Sequence, residues 1–213
     1  MSKRKYNPVS PYARIKACYG FEYIKQRFSE KLAESKVCEV KILVSDLSHI
    51  GVSDLVHRSG QLHSLPEYVS TTCRVLPSST PGYPSIKFRL DTRENMTKLE
   101  ETFTGDQNQT GFSQESVPLD LHRLAALSNA GWDEKLILNG DLVAIHRCHN
   151  SMCFNPDHVY FDFTEVNKST DYCPSWTVIN GVLVDLCTTH NPKCLVPSKR
   201  RIPNSRFSSP TTT

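Results

Sequence analysis

Apolar residues recur along this chain in two registers, one helical and one alternating. From Gly20 to Lys36, Phe21, Ile24, Phe28 and Leu32 fall on one face with charged residues between them, which predicts an amphipathic packing helix behind a basic, proline-interrupted arm over residues 1–17. Cys38 to Val44 is rich in β-branched residues and predicts a strand. Tyr68 to Leu76 places Val69, Thr71, Cys73 and Val75 on one side, and PSSTPGYP then turns the chain into Ser85–Leu90, which predicts a hairpin. Thr92 to Phe112 is polar and acidic and reads as an exposed loop insertion. Pro118 to Asn129 reads as a helix with proline in its first turn and Gly131 as its stop. In KLILNGDLVAIH, Asn139-Gly140 between two apolar runs predicts a hairpin whose second strand ends at His146. VYFDF reads as a short strand, after which Thr164 is placed to cap a short helix carrying Asn167 and Lys168. TVINGVLV holds a second Asn-Gly pair between β-formers. The expected fold class is α+β, a mixed architecture with antiparallel hairpins.

Composition alters this picture in one respect. The apolar fraction of the 213 residues is 38%, against about 45–50% in ordinary globular proteins. A thin core calls for another support, and structural zinc, with an apparent binding free energy of about 10–16 kcal/mol in small peptides, is of the right size. No apolar run follows the basic N-terminus or is long enough to span a bilayer, so the expected setting is intracellular, without a membrane partner. Reduced thiols in that compartment fit metal ligation better than disulfides. The net charge of +3 is too small to establish a polyanionic partner. The clusters Lys3, Arg4, Lys5 and Lys199, Arg200, Arg201 serve equally well as import signals, phosphate contacts or solvated tails. His49, His57 and His63, irregularly spaced, read as surface residues.

The chemistry concentrates between Leu142 and Cys173. Cys148, Cys153 and His158 stand at Cys-x4-Cys-x4-His spacing, three ligands able to converge on one tetrahedral Zn²⁺. The fourth ligand must come from elsewhere, with Cys18, Cys38 and Cys73 as candidates. His146 and Asn167 flank this set. Further on, Cys187, His190 and Cys194 form a Cys-x2-His-x3-Cys knuckle, which Cys173 completes as a closed second zinc site. Upstream, Lys87 and Arg89 share one face of a strand, as side chains two apart do. A two-stranded basic ribbon suits the major groove of double-stranded DNA, although an ordinary solvent-facing strand has the same pattern.

The segment IHRCHNSMCFNPDHVYFDFTEVNK resembles the His-Cys box of homing endonucleases from mobile group I introns. The histidine, both cysteines, the Asn-Pro-x-His and the later asparagine are in register without gaps. The resemblance is specific over Ala144–Cys173, weaker over Thr71–Cys194 and absent before Tyr68. It implies a zinc-stabilised ββα-metal nuclease core, with Cys73 as the fourth ligand of the first zinc. It also implies a site-specific double-strand DNA endonuclease in which His146 is the general base, Asn167 holds a single Mg²⁺ and Arg93 stabilises the phosphate, with Arg89 in reserve. DNA contacts are expected from Lys87, Arg89 and Lys168, and His149 is expected to hydrogen-bond within the box. A homodimer acting in the nucleus is implied, with a C-terminal tail that reaches onto the partner subunit. Residues 1–67 would then be an N-terminal arm, helix and strand, and residues 68–213 the endonuclease domain. The competing reading is a non-catalytic DNA-binding protein that zinc merely braces, which would need neither His146 nor Asn167.

Overall fold

The structure is a computed structural model of the full chain. It describes residues 9–43, 68–77, 83–103, 116–171, 173, 176–179, 182–185, 187 and 190–196. The basic clusters at both ends and the three histidines between Val44 and Pro66 lie outside these residues. The chain divides into two compact units, the first comprising residues 1–38, 73–145 and 151–162, the second residues 39–72, 146–150 and 163–213.

The first unit is built on helices. Helix α1 (Pro11–Tyr19) starts where Ser10 Oγ accepts a hydrogen bond from the Ala13 amide and Pro11 occupies the first turn. Part of the expected proline-interrupted arm is therefore a capped helix. Gly20, at φ 81°, closes α1 and opens α2 (Phe21–Glu34), a backbone conformation that a side chain would strain. As the periodicity predicts, α2 buries Ile24 and Phe28, with Phe21 and Leu32 partly buried against the same core.

Two strands of the predicted hairpin exist, but with other partners. Strand β1 (Lys36–Leu43) pairs with β2 (Tyr68–Val75), whereas β3 (Ser85–Arg89) pairs antiparallel with β4 (Ser116–Asp120). Pro118, expected to open a helix, instead faces Lys87 in β4, and a two-stranded ribbon tolerates it because both of its strands are edges. Part of the expected polar loop between β3 and β4 is helix α3 (Arg93–Phe103), started by Thr92 Oγ1 accepting from the Asn95 amide. It buries Asn95 and Leu99. Asn95 Nδ2 donates to the Arg89 carbonyl at 2.9 Å, so the polar side chain is satisfied inside.

Helix α4 (Leu121–Asn129) buries Leu121, Leu124 and Leu127 completely. Lys135–Leu138, expected as a strand, belongs to helix α5 (Glu134–Leu138), where Asp133 caps the Lys135 amide, Ile137 is buried and Leu138 is exposed. Tyr12 Oη and Lys16 Nζ both reach Glu134, at 2.6 and 2.7 Å, and so join α1 to α5. Strand β5 (Leu142–His146) pairs with β6 (Val159–Phe163) instead of forming the Asn-Gly hairpin. A single 3-10 turn over Pro156–His158 leads into β6. Its helix-capping residue is Asn155, whose Oδ1 accepts from the Asp157 amide. Phe154 and Val159, on either side of that turn, are fully buried in the same apolar cluster as α2 and α4.

Among the described residues of the second unit, two small buried clusters stand out. Ile42, Val69 and Val196 form one small cluster, and Cys173, Cys187 and Cys194 another. Helix α6 (Thr164–Thr170) follows β6 directly. Thr164 is its first residue; the cap position is Phe163, which makes no side-chain capping bond. Strands β7 (Trp176–Ile179) and β8 (Val182–Asp185) pair antiparallel with Ile179 opposite Val182, and the Asn180-Gly181 pair expected between them lies outside the described residues. The expected class, α+β with small sheets and two Cys/His clusters, is the class observed, and it is consistent with a ββα-metal core.

Candidate metal centres and the site they frame

Eight ligand-type residues gather into two groups. Cys73, Cys148, Cys153 and His158 form one, and Cys173, Cys187, His190 and Cys194 the other; all eight are buried, and within each group one ligand atom per residue lies within 4.8 Å of every other. None of the cysteines forms a disulfide. Local hydrogen bonding assembles the first group: the Phe154 amide donates to the Arg74 carbonyl at 3.0 Å, which sets Cys153 beside Cys73. The Asn155-capped turn then brings His158 round, with its Nδ1 3.7 Å from Cys73 Sγ and 3.6 Å from Cys153 Sγ. In the second group His190 Nδ1 is 3.4 Å from Cys187 Sγ and 3.7 Å from Cys194 Sγ.

These separations test the fit to zinc. Tetrahedral angles with Zn–S of about 2.3 Å and Zn–N of about 2.0–2.1 Å place sulfur and nitrogen roughly 3.6 Å apart. The four S···N separations given above lie within about 0.2 Å of that value, and each group holds three sulfurs and one nitrogen, a closed structural set. Two zinc ions per chain fit. Of the other candidates for the fourth ligand of the first group, Cys18 is buried in α1 against the Asn95 carbonyl, and Cys38 is exposed in β1. Burial pushes the Cys18 thiol up, against the opposing charges of Lys98 and Arg14, so it stays protonated near neutral pH.

His146 ends β5 and belongs, with Arg147–Asn150, to the second unit; it is half-buried. Asn167 and Lys168 lie on α6 in the same unit, Asn167 half-buried and Lys168 exposed. Lys87 and Arg89 are exposed on one face of β3, opposite buried Ile86 and Phe88. Their cross-strand partners are Pro118 and Ser116, so the second strand adds no basic charge. Arg89 is already engaged by Asp91, with Nε and Nη2 at 2.7 and 3.2 Å from its two carboxylate oxygens. Arg93 is exposed at the first position of α3 in the first unit.

His149 sits in the left-handed region at φ 51°, in a turn closed by its amide on the His146 carbonyl. Burial drives its imidazole pKa down to about 4, against the pull of Asp171 and a Val196 backbone bond and with the push of His146 and His190. His149 is therefore neutral at physiological pH.

One interaction was not visible in the sequence. Ser169 Oγ lies 2.8 Å from His190 Nε2, so a hydroxyl on α6 contacts the imidazole of the second group. A serine in a Thr/Ser-containing helix gives no pattern from which that contact can be read.

Small antiparallel sheets and short helices thus accompany two buried Cys3His sets, each able to hold a structural zinc ion. The model of the family described as the zinc-binding loop region of homing endonucleases matches residues 91–205, more than half of the chain. The chain belongs to the homing endonuclease family with a zinc-binding loop. The matched stretch contains His146, Asn167 and every ligand except Cys73. No curated protein matches the chain.

Proposed function

We propose that this protein is a site-specific double-strand DNA endonuclease, with residues 68–213 as its endonuclease domain and His146 as the general base. The single observation that carries the reading is the family match over 91–205, which spans both His146 and Asn167. The two buried Cys3His sets support it, because each is complete with four ligands and neither is an open catalytic position. The ion of the reaction must then be a different one, with harder ligands.

Asn167 offers a carboxamide oxygen, the donor type that suits Mg²⁺ recruited together with substrate phosphates. When bound, such an ion supplies charge neutralisation at the phosphate and at the departing 3′ oxygen. The chain's own residues do the rest. In this reading the half-buried His146 imidazole would take a proton from an attacking water, and Asn167 would offer its amide oxygen to the cation. Exposed Lys87, Arg89 and Lys168 supply contacts to DNA, and exposed Arg93 the phosphate-stabilising charge. For Arg89 this requires exchanging Asp91 for phosphate. A homodimer cuts both strands of a twofold-related site.

The test is cleavage of a long DNA library carrying candidate sites, with Mg²⁺ present or omitted, by the wild type and by His146→Ala. Cleavage by the wild type only with Mg²⁺, together with binding but no cleavage by the variant, supports the reading. A variant that still cuts at the wild-type rate removes His146 from the role of base. A wild type that binds DNA and never cuts is a zinc-braced DNA-binding protein instead.

A further inference from the structure

Helix α6 has seven residues and no side-chain cap at its start. Isolated helices shorter than about 12–15 residues are marginal in water, so something outside it must hold it. Its C-terminal turn shows what does. Ser169 Oγ donates to the Val166 carbonyl at 2.7 Å and also lies 2.8 Å from His190 Nε2. A serine hydroxyl has one proton to give. With that proton on Val166, the contact with His190 is one in which Nε2–H donates and Ser169 Oγ accepts.

The consequence falls on the other ring nitrogen. His190 Nδ1, which faces Cys187 Sγ and Cys194 Sγ, is left without a proton, as a zinc ligand must be. A second link is made by the backbone: the Cys173 amide donates to the Thr170 carbonyl at 3.2 Å, and Thr170 Oγ1 donates to the Asn167 carbonyl at 2.7 Å. The helix that carries Asn167 is thereby fastened to two members of one ligand set. The same knuckle also grips the turn that follows His146. Arg147 Nε donates to the Lys193 carbonyl at 2.6 Å, and the Leu195 amide donates to the Arg147 carbonyl at 2.8 Å.

We infer that the Cys173–Cys187–His190–Cys194 knuckle is the common anchor of the two segments bearing His146 and Asn167, with Ser169 as the positioning residue that transmits its order to α6. Naming these two segments as the reacting pair rests on the proposed nuclease function. The mechanical claim, that Ser169 orients a zinc ligand and steadies α6, does not. The second metal set thus tunes the reaction from outside it, because loosening His190 loosens the support of Asn167.

The test uses the full zinc-loaded chain as wild type, Ser169→Ala and Ser169→Thr. Loss of a partner to a ligating histidine typically weakens metal binding about 10–100-fold. Ser169→Ala is accordingly expected to lose one of two zinc ions to a competing chelator at about 10–100-fold lower chelator strength, while the other ion is retained as in the wild type. Amides from Asn167 to Thr170 exchange faster in that variant. Ser169→Thr keeps a hydroxyl able to bond the preceding turn, and returns both readouts to near the wild-type values. In cleavage, Ser169→Ala shifts the Mg²⁺ concentration for half-maximal rate upward more than it lowers the rate at saturating Mg²⁺. Unchanged zinc retention and unchanged exchange in Ser169→Ala would overturn the inference. If the wild type cuts no DNA, the nuclease reading fails, and the zinc and exchange measurements still decide the role of Ser169.

Discussion

Replacing Cys187 with serine is expected to melt the second zinc segment while leaving the first unit folded, and the structure sets the scale of the effect. The described part of that segment, Cys187 and His190–Val196, is eight residues. Ordering their backbones costs roughly 8–16 kcal/mol at about 1–2 kcal/mol each. Against this stands one fully buried aliphatic side chain, Val196, worth about 1.5–3 kcal/mol. The backbone bond from Leu195 to Arg147 and the Arg147 Nε bond to the Lys193 carbonyl each contribute about 1 kcal/mol net. The shortfall, on the order of 10 kcal/mol, is what a structural zinc of about 10–16 kcal/mol supplies. Among the described residues of the segment, no apolar burial of comparable size stands in for a full ligand set.

The Leu195 amide is the probe, since its bond to Arg147 does not involve the mutated side chain. In hydrogen exchange under a mild chelator, Cys187→Ser should lose protection at Leu195 and release one zinc. The amides of α4, whose leucines are fully buried in the first unit, should keep theirs. A variant that has released its second zinc and still protects Leu195 as the wild type does would refute the reasoning, because apolar burial would then be holding the segment.

Two further outcomes follow from the first unit. Glu134 is held below its usual carboxylate range: burial raises it, but the bonds from Lys16 and Tyr12 outweigh burial. A depressed carboxyl stabilises the fold above its unfolded pKa and loses that contribution as pH falls through the folded value. Glu134→Gln should therefore cost about 0.5–1 kcal/mol in urea unfolding at pH 7, the ion pair being partly solvent-exposed, and a cycle with Tyr12→Phe should show the two substitutions to be non-additive; additivity would mean that the 2.6 Å bond carries no coupling. Phe154→Ala empties a completely buried position beside the ligand Cys153 and should cost about 3–5 kcal/mol. A loss under 1 kcal/mol in the same assay would show that the zinc loop does not lean on the core.

The parts legible in the sequence were those in which local chemistry is self-sufficient. The spacing of Cys148, Cys153 and His158, and of Cys187, His190 and Cys194, specifies convergence whatever surrounds it, and the structure gathers both triplets with Cys73 and Cys173. Cys73 lies 75 residues before Cys148 and was singled out through the family resemblance, since no spacing rule reaches that far. Strand partners were the largest loss. The β3–β4 pairing joins strands separated in the chain by α3, a partnership that no local pattern in either strand specifies, whereas the neighbouring β2 is the natural sequence-based choice. Other misses had signals that were outweighed. Ser10-Pro11 and Thr92-x-x-Asn95 are both helix starts, and Met96, Leu99 and Phe103 recur at helical spacing inside a polar composition. At Asn139-Gly140 the hairpin signal was real chemistry overruled by tertiary packing, because Ile137 enters the core from a helical turn capped by Asp133.

The two Cys3His sets must bind zinc for the mechanics described above to hold. The most direct measurement is metal stoichiometry of the purified chain by native mass spectrometry, with cobalt substitution to report geometry. The wild type should carry two zinc ions, Cys153→Ser and Cys187→Ser one each, and both sites should show tetrahedral thiolate–cobalt spectra. A chain that folds with no zinc, or with its cysteines paired as disulfides, would contradict the account.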